Sequence, residues 1–195
     1  MTEPLCPVWL SFTLTNIFRR MAQDPVRILR PFLREGDTAL DIGCGPGFFT
    51  VPMARMVGDQ GLVVAVDIQQ DMLDRTRRRA VRAGVADRIR LHLAAENGLG
   101  LDLKADFALV FWMAHEVDRL ERFFGEILAA LKPDGRLLLV EPRVHVPEPR
   151  YAEIVAAAVS AGFTPHETDP VRLSRAALLS PGAPSRSRGS RGTGS

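Results

Sequence analysis

Three glycines and two carboxylates carry the first chemical signal in the chain. Asp41-Ile42-Gly43-Cys44-Gly45-Pro46-Gly47 joins a short apolar run to a helix-like segment, and Asp67 follows Gly47 by 20 residues at the end of a second apolar run. Glycine has no Cβ, so such a stretch turns tightly and lets a ligand lie against main chain. The N–H groups where the next helix starts favour an anionic group such as a carboxylate or phosphate. The spacing is Gly-x-Gly-x-Gly rather than the Gly-x-Gly-x-x-Gly of dinucleotide folds, and Asp41 would repel a pyrophosphate. A cationic ligand carrying an ammonium and a sulfonium tolerates that carboxylate. Asp67 is placed to accept hydrogen bonds from both hydroxyls of a ribose, as in nucleoside-binding α/β folds.

A second group follows the fourth apolar run, in Phe111-Trp112-Met113-Ala114-His115-Glu116-Val117. Open α/β folds bind substrates at this end of their strands. Histidine titrates near neutrality, so His115 is the candidate catalytic residue, a general base for an acceptor that must lose a proton. The alternative is a histidine that caps the next helix or packs. Glu116 reads as the acidic residue of a helix start. Glu141 and His145 reach the same edge and read as loop residues. Cys44, inside the glycine loop, packs as a small residue. Met113 reads as pocket lining; Trp112 lines the pocket or fills core.

The elements that must position these residues are legible from the apolar pattern. Thr38–Ile42, 62–68, 88–93, 105–112 and 136–141 read as five strands, most of them apolar on both faces, as central strands of a parallel sheet are. Segments 47–57, Gln70–Ala83 and 120–131 have helical spacing, and 96–104 reads mostly as loop. Leu131-Lys132-Pro133-Asp134-Gly135 reads as a helix stop and a turn. A further helix is expected over 149–161, then strands over 164–169 and 171–179 joined so closely that they form a hairpin, with one strand antiparallel. Near the N-terminus, Leu10, Leu14, Ile17 and Met21 share a helical face.

Composition bounds the rest. A chain of 195 residues with 46% hydrophobic and 25% charged residues suits one domain with a full core. The net charge of +2 owes its sign to Arg186, Arg188 and Arg191; without them 22 basic residues face 23 acidic ones. That is no broad basic footprint for nucleic acid. Two distant cysteines, Cys6 and Cys44, make neither a disulfide framework nor a metal cluster, and no apolar run reaches membrane-spanning length. With no secretory start, the expected location is the cytoplasm.

Ala39-Leu40-Asp41-Ile42-Gly43-Cys44-Gly45-Pro46-Gly47-Phe48-Phe49-Thr50 resembles motif I of the class I S-adenosylmethionine-dependent methyltransferases. Val64-Ala65-Val66-Asp67-Ile68 and Leu131-Lys132-Pro133-Asp134-Gly135-Arg136-Leu137 resemble later motifs of that family, and the match covers residues 26–179. Among its branches the chain is most similar to small-molecule methyltransferases related to ubiquinone and menaquinone biosynthesis. The resemblance implies a Rossmann-like, doubly wound seven-stranded sheet of order 3-2-1-4-5-7-6 with strand seven antiparallel and helices on both faces. It implies S-adenosyl-L-methionine as cofactor, held by Asp41, Gly43, Cys44, Gly45, Gly47, Asp67, Ile68, Ala95 and Glu96, and a small-molecule methyl acceptor. The family's Asp for the adenine amino group is Ala94 here, which leaves the Ala95 N–H, Glu96 or Asn97 to meet the ring. Residues 1–25 are then a cap over the cofactor, with a membrane-surface helix as the alternative, 26–180 the catalytic domain, and 181–195 a disordered Gly, Ser, Arg and Pro tail.

Three rival readings are weaker. No Asn/Asp-Pro-Pro-aromatic motif of base-methylating enzymes follows the fourth strand. Arsenite methylation needs more thiols, and the glycine spacing disfavours an NAD-dependent oxidoreductase. A non-catalytic module that binds S-adenosylmethionine is the remaining alternative.

Overall fold

The structure, a computed structural model, describes residues 23–182. In chain order it comprises α1 (Pro25–Leu29), β1 (Thr38–Ile42), α2 (Thr50–Met56), β2 (Leu62–Asp67), α3 (Gln70–Ala83), β3 (Ile89–Leu93), β4 (Ala105–Phe111), α4 (Leu120–Ala130), β5 (Leu131–Pro142), α5 (Glu148–Ser160), β6 (Phe163–His166) and β7 (Ser174–Pro181). The strands form one seven-stranded sheet in the order β3-β2-β1-β4-β5-β7-β6. β7 runs antiparallel to both neighbours, while the other pairs are parallel. Order and direction are those the resemblance implied.

Alternation along each central strand feeds two cores at once. Leu40, Ile42, Val64, Val110, Leu137 and Leu139 face Phe124 and Ile127 of α4 and Ile154 of α5. Ala39, Val63, Phe107, Leu109 and Leu138 face Leu29 of α1, Met53 of α2 and Ala80 of α3. Each fully buried Leu, Val or Phe contributes about 1.5–3 kcal/mol relative to exposure. α3 stops where Gly84 adopts φ +68 and its N–H turns back to Ala80 O and Val81 O, a left-handed cap.

Several boundaries differ from the sequence expectation, each for a local reason. α2 starts at Thr50 rather than 47, because Gly47 has φ +77. Strand pairing of β5 already begins at Leu131 opposite Ala105, and resumes with Arg136 opposite Phe107. The expected Lys-Pro-Asp-Gly turn is therefore an irregularity within the ladder. The hairpin is looser than expected. β6 ends at His166 and β7 starts at Ser174, since Pro170 has no N–H and Leu173 sits at φ +58. β6 carries Pro165 and lies at the sheet edge, where a missing donor is tolerated. Segment 96–104 is loop with no helix, as expected. Of the cap expected over 1–25 and the tail expected over 181–195, residues 1–22 and 183–195 lie outside the described residues, and Pro181 belongs to β7, paired with Phe163.

Candidate functional site

The glycine loop leaves the centre of the sheet between β1 and α2 and is tied down from four sides. The N–H groups of Gly43 and Cys44 both donate to Val66 O of β2, at 2.9 and 3.0 Å. Gly45 N–H donates to Asp67 Oδ2 at 2.9 Å, Thr76 Oγ1 of α3 donates to Gly45 O at 2.8 Å, and Gly47 N–H donates to Cys44 O at 3.1 Å. Gly43, Gly45 and Gly47 all have positive φ, a region that costs other residues about 1–2 kcal/mol. The space beside each differs. A Cβ on Gly43 would lie 2.7 Å from Met113 Cγ, and one on Gly47 2.9 Å from Thr76 Oγ1. A Cβ on Gly45 would meet nothing within 4 Å. Two glycines thus admit the protein's own side chains, and Gly45 alone presents bare main chain to open space.

The carboxylates are engaged within this frame. Asp41 is buried and its Oδ2 accepts from Thr50 Oγ1 at 2.5 Å. Asp67 is 8% exposed and spends one oxygen on Gly45 N–H and the other on Gln69 N–H. It anchors the loop, and each oxygen keeps a second lone pair for a ligand. Cys44 is buried, and burial, with Asp41 and Asp67 nearby, pushes its thiol far above the ordinary range. It packs and does not react.

Beyond β2 and β3 the expected adenine wall is partly rearranged. Ile68 follows Asp67 and is 56% exposed, a large apolar surface at the strand tip. Ala95 pairs with Gly98 in a tight turn, and its N–H donates to Gly98 O at 3.2 Å. That N–H, expected to be open for a ring nitrogen, is used inside the turn, while Glu96 and Asn97 stand exposed at its tip. Ala94 is buried and donates to Asp67 O.

At the end of β4 the chain turns sharply. Trp112 adopts φ +59, costly for a bulky residue, and is held by N–H to Val140 O at 2.8 Å and by indole Nε1 to Ser174 Oγ at 3.0 Å. Met113 then lies over Gly43, and a short 3-10 turn spans Ala114–Glu116. Glu141, fully buried at the end of β5, organises this turn: its Oε1 accepts from Ala114 N–H at 2.8 Å and its Oε2 lies 2.6 Å from His115 Nδ1. Burial raises the Glu141 carboxyl above the usual carboxylate range, against the pull of His115 and the Ala114 N–H. With Glu141 ionised, Nδ1 must carry the hydrogen, which leaves His115 Nε2 as the acceptor; exposed Glu116 is 3.9 Å from it. His145 lies in the exposed turn after β5.

The family described as methyltransferase domain matches residues 39–135, from β1 into β5. A demethylmenaquinone methyltransferase of Symbiobacterium thermophilum is 34% identical over 115 residues, 58% of this chain and 46% of its own length. The ubiquinone/menaquinone biosynthesis C-methyltransferase UbiE of an Enterobacter species is 30% identical over 141 residues, 72% of this chain and 54% of its own length. The chain belongs to the class I S-adenosylmethionine-dependent methyltransferases. It spans about half the length of these curated relatives. A SAM dependent methyltransferase from Aquifex aeolicus shares the fold at a TM-score of 0.76 and 24% identity, covering 90% of this chain and 98% of that one. Within this methyltransferase domain, Glu141 is the residue that sequence reasoning undervalued. A lone carboxylate closing the apolar run 137–140 was the available signal, but its partner is 26 residues away and only β4–β5 pairing joins them. Among the described residues no helix is long and apolar enough to cross a membrane.

Proposed function

We propose that this chain transfers a methyl group from S-adenosylmethionine to a small-molecule acceptor, with His115 as general base and Glu141 as its positioning partner. The observation that carries the reading is the open face of Gly45 on a loop otherwise closed by hydrogen bonds. A cradle of that kind fits a ligand lying on main chain, and Gly43, Gly45, Gly47, Asp67 and Ile68 would hold it, with Asp41, Cys44, Ala95 and Glu96 shaping the loops around it. S-adenosylmethionine, when bound, supplies an electrophilic methyl group. The chain's part is to hold the acceptor in line and to take its proton, since approach and alignment account for much of the acceleration of such reactions. A hydroxyl or acidic carbon gives its proton to His115 Nε2, and the resulting imidazolium is stabilised by Glu141. The relatives are a demethylmenaquinone methyltransferase and a ubiquinone/menaquinone biosynthesis C-methyltransferase, which supports a quinone-like small-molecule acceptor.

Calorimetry with S-adenosylhomocysteine tests the cradle. Gly45→Ala should abolish binding, while Gly84→Ala, at φ +68 with equally open space, carries the same backbone strain and should leave affinity unchanged. Equal affinity in the Gly45 variant would remove the reading. Transfer of labelled methyl from S-adenosylmethionine to a panel of phenols, quinols, amines and thiols then separates an enzyme from a binding module.

A further inference from the structure

A cavity of about 980 Å³ opens away from the glycine loop, between α1 and the loop 167–173 that joins β6 to β7. Its floor is apolar, with Phe32 and Leu138 among its lining residues. Its rim is not. Arg27, Arg143 and Arg172 all line it, and among the described residues none of the three meets a carboxylate within ion-pair distance. Arg143 spends only Nε, on Ser174 O at 3.0 Å. Of the two acidic residues on the wall, Asp24 is committed to the backbone N–H groups of Val26 and Arg27, and Asp169 stands exposed. Guanidinium groups with free donors over an apolar floor match a molecule with an apolar body and one anionic group.

The cavity wall is pinned by hydrogen bonds among buried and half-buried groups. Gln23 is 3% exposed; its Nε2 donates to Arg172 O at 3.1 Å and Ser174 Oγ at 3.3 Å, and its Oε1 has no partner among the described residues. The same Ser174 hydroxyl accepts from Trp112 Nε1, one residue before the Met113 that covers Gly43. We infer that this cavity is a binding site for an apolar-bodied anion, a carboxylate or phosphate ester, whose charge lies on Arg27, Arg143 and Arg172.

The test is titration of the full chain with 2-naphthoate and phenyl phosphate, each beside a neutral analogue, 2-naphthamide and phenol, with and without S-adenosylhomocysteine. The anions should bind at least about tenfold more tightly than the neutral analogues, the scale of one charge-assisted hydrogen bond. Arg143→Gln and Arg172→Gln should each erase most of that preference, and Arg90→Gln, on β3, should keep it. Equal binding of anions and neutral molecules, or none because another segment of the chain fills the cavity, overturns the inference. S-adenosylhomocysteine that displaces the anions would place them on the glycine loop and likewise overturn the inference.

Discussion

At the scale of single residues, the site is defined by which polar groups are engaged and which are left over. Asp67 binds two backbone amides of the chain, so its loss acts on the loop before it acts on any ligand. Asp67→Ala should therefore weaken S-adenosylhomocysteine binding and also lower unfolding free energy by about 1–3 kcal/mol, the cost of leaving a buried donor without its acceptor. Urea unfolding that matches the wild type would show that the Gly45–Asp67 bond is not what fixes the loop. His115 and Glu141 make a pair that sequence reading saw only by halves. In a transfer assay with an acceptor that must lose a proton, His115→Ala should cut turnover by about 10²–10⁴-fold, with cofactor affinity nearly unchanged. Glu141→Gln should cut it less and shift the pH–rate profile, because glutamine holds the ring without stabilising imidazolium. An unaltered profile would make Glu141 structural alone. Tyr151 is the opposite case, a buried hydroxyl without a partner among the described residues, whose phenol burial pushes up to about 12. Tyr151→Phe should raise stability by about 1 kcal/mol, read from the denaturant midpoint.

At the scale of elements, the glycine loop and the β4 tip are one unit, joined where Met113 meets Gly43. Gly43→Ala combines left-handed strain with a methyl 2.7 Å from Met113 Cγ, and should cost about 2–4 kcal/mol. In a Met113→Ala background the Cγ clash disappears, a 3.2 Å contact with the remaining Cβ stays, and the cost should fall towards the about 1–2 kcal/mol of strain. Additive losses in the double-mutant cycle would show the contact to be slack. This is also where legibility divides. The loop from Asp41 to Gly47 and the carboxylate at Asp67 were readable because glycine spacing and strand ends are local features of the chain. The seven-residue loop 167–173 was read as a tight hairpin because Pro170 marks a turn but not how far the ladder is delayed. The closed Ala95 N–H and the Glu141–His115 pair were not readable, since each depends on a hydrogen-bond partner chosen by the folded backbone rather than by residue type.

At the scale of the whole molecule, Glu141 links the site to stability. A carboxyl raised by burial favours the folded state below the ordinary carboxylate pKa, and that contribution is lost as pH rises through the raised value. Wild type should therefore lose ground to Glu141→Gln as pH climbs from about 4 towards neutrality. Melting curves of the two proteins that keep a constant separation over that range would contradict a raised Glu141. The strand order has a different consequence. β1, β2 and β3 are contiguous in sequence and adjacent in the sheet, and so are β4 to β7; in the sheet the two groups meet along β1 and β4, with Asp41 opposite Leu109. One covalent crossing joins them, the helix-free loop 94–104. The chain is thus a reassembly of two halves that a single cut can separate. A protein split after Asp102 and produced as two fragments should recombine on mixing into one cooperative unit, because the β1–β4 seam buries Leu40, Leu109 and Val110 from both sides. Each fragment kept apart would expose that seam and aggregate.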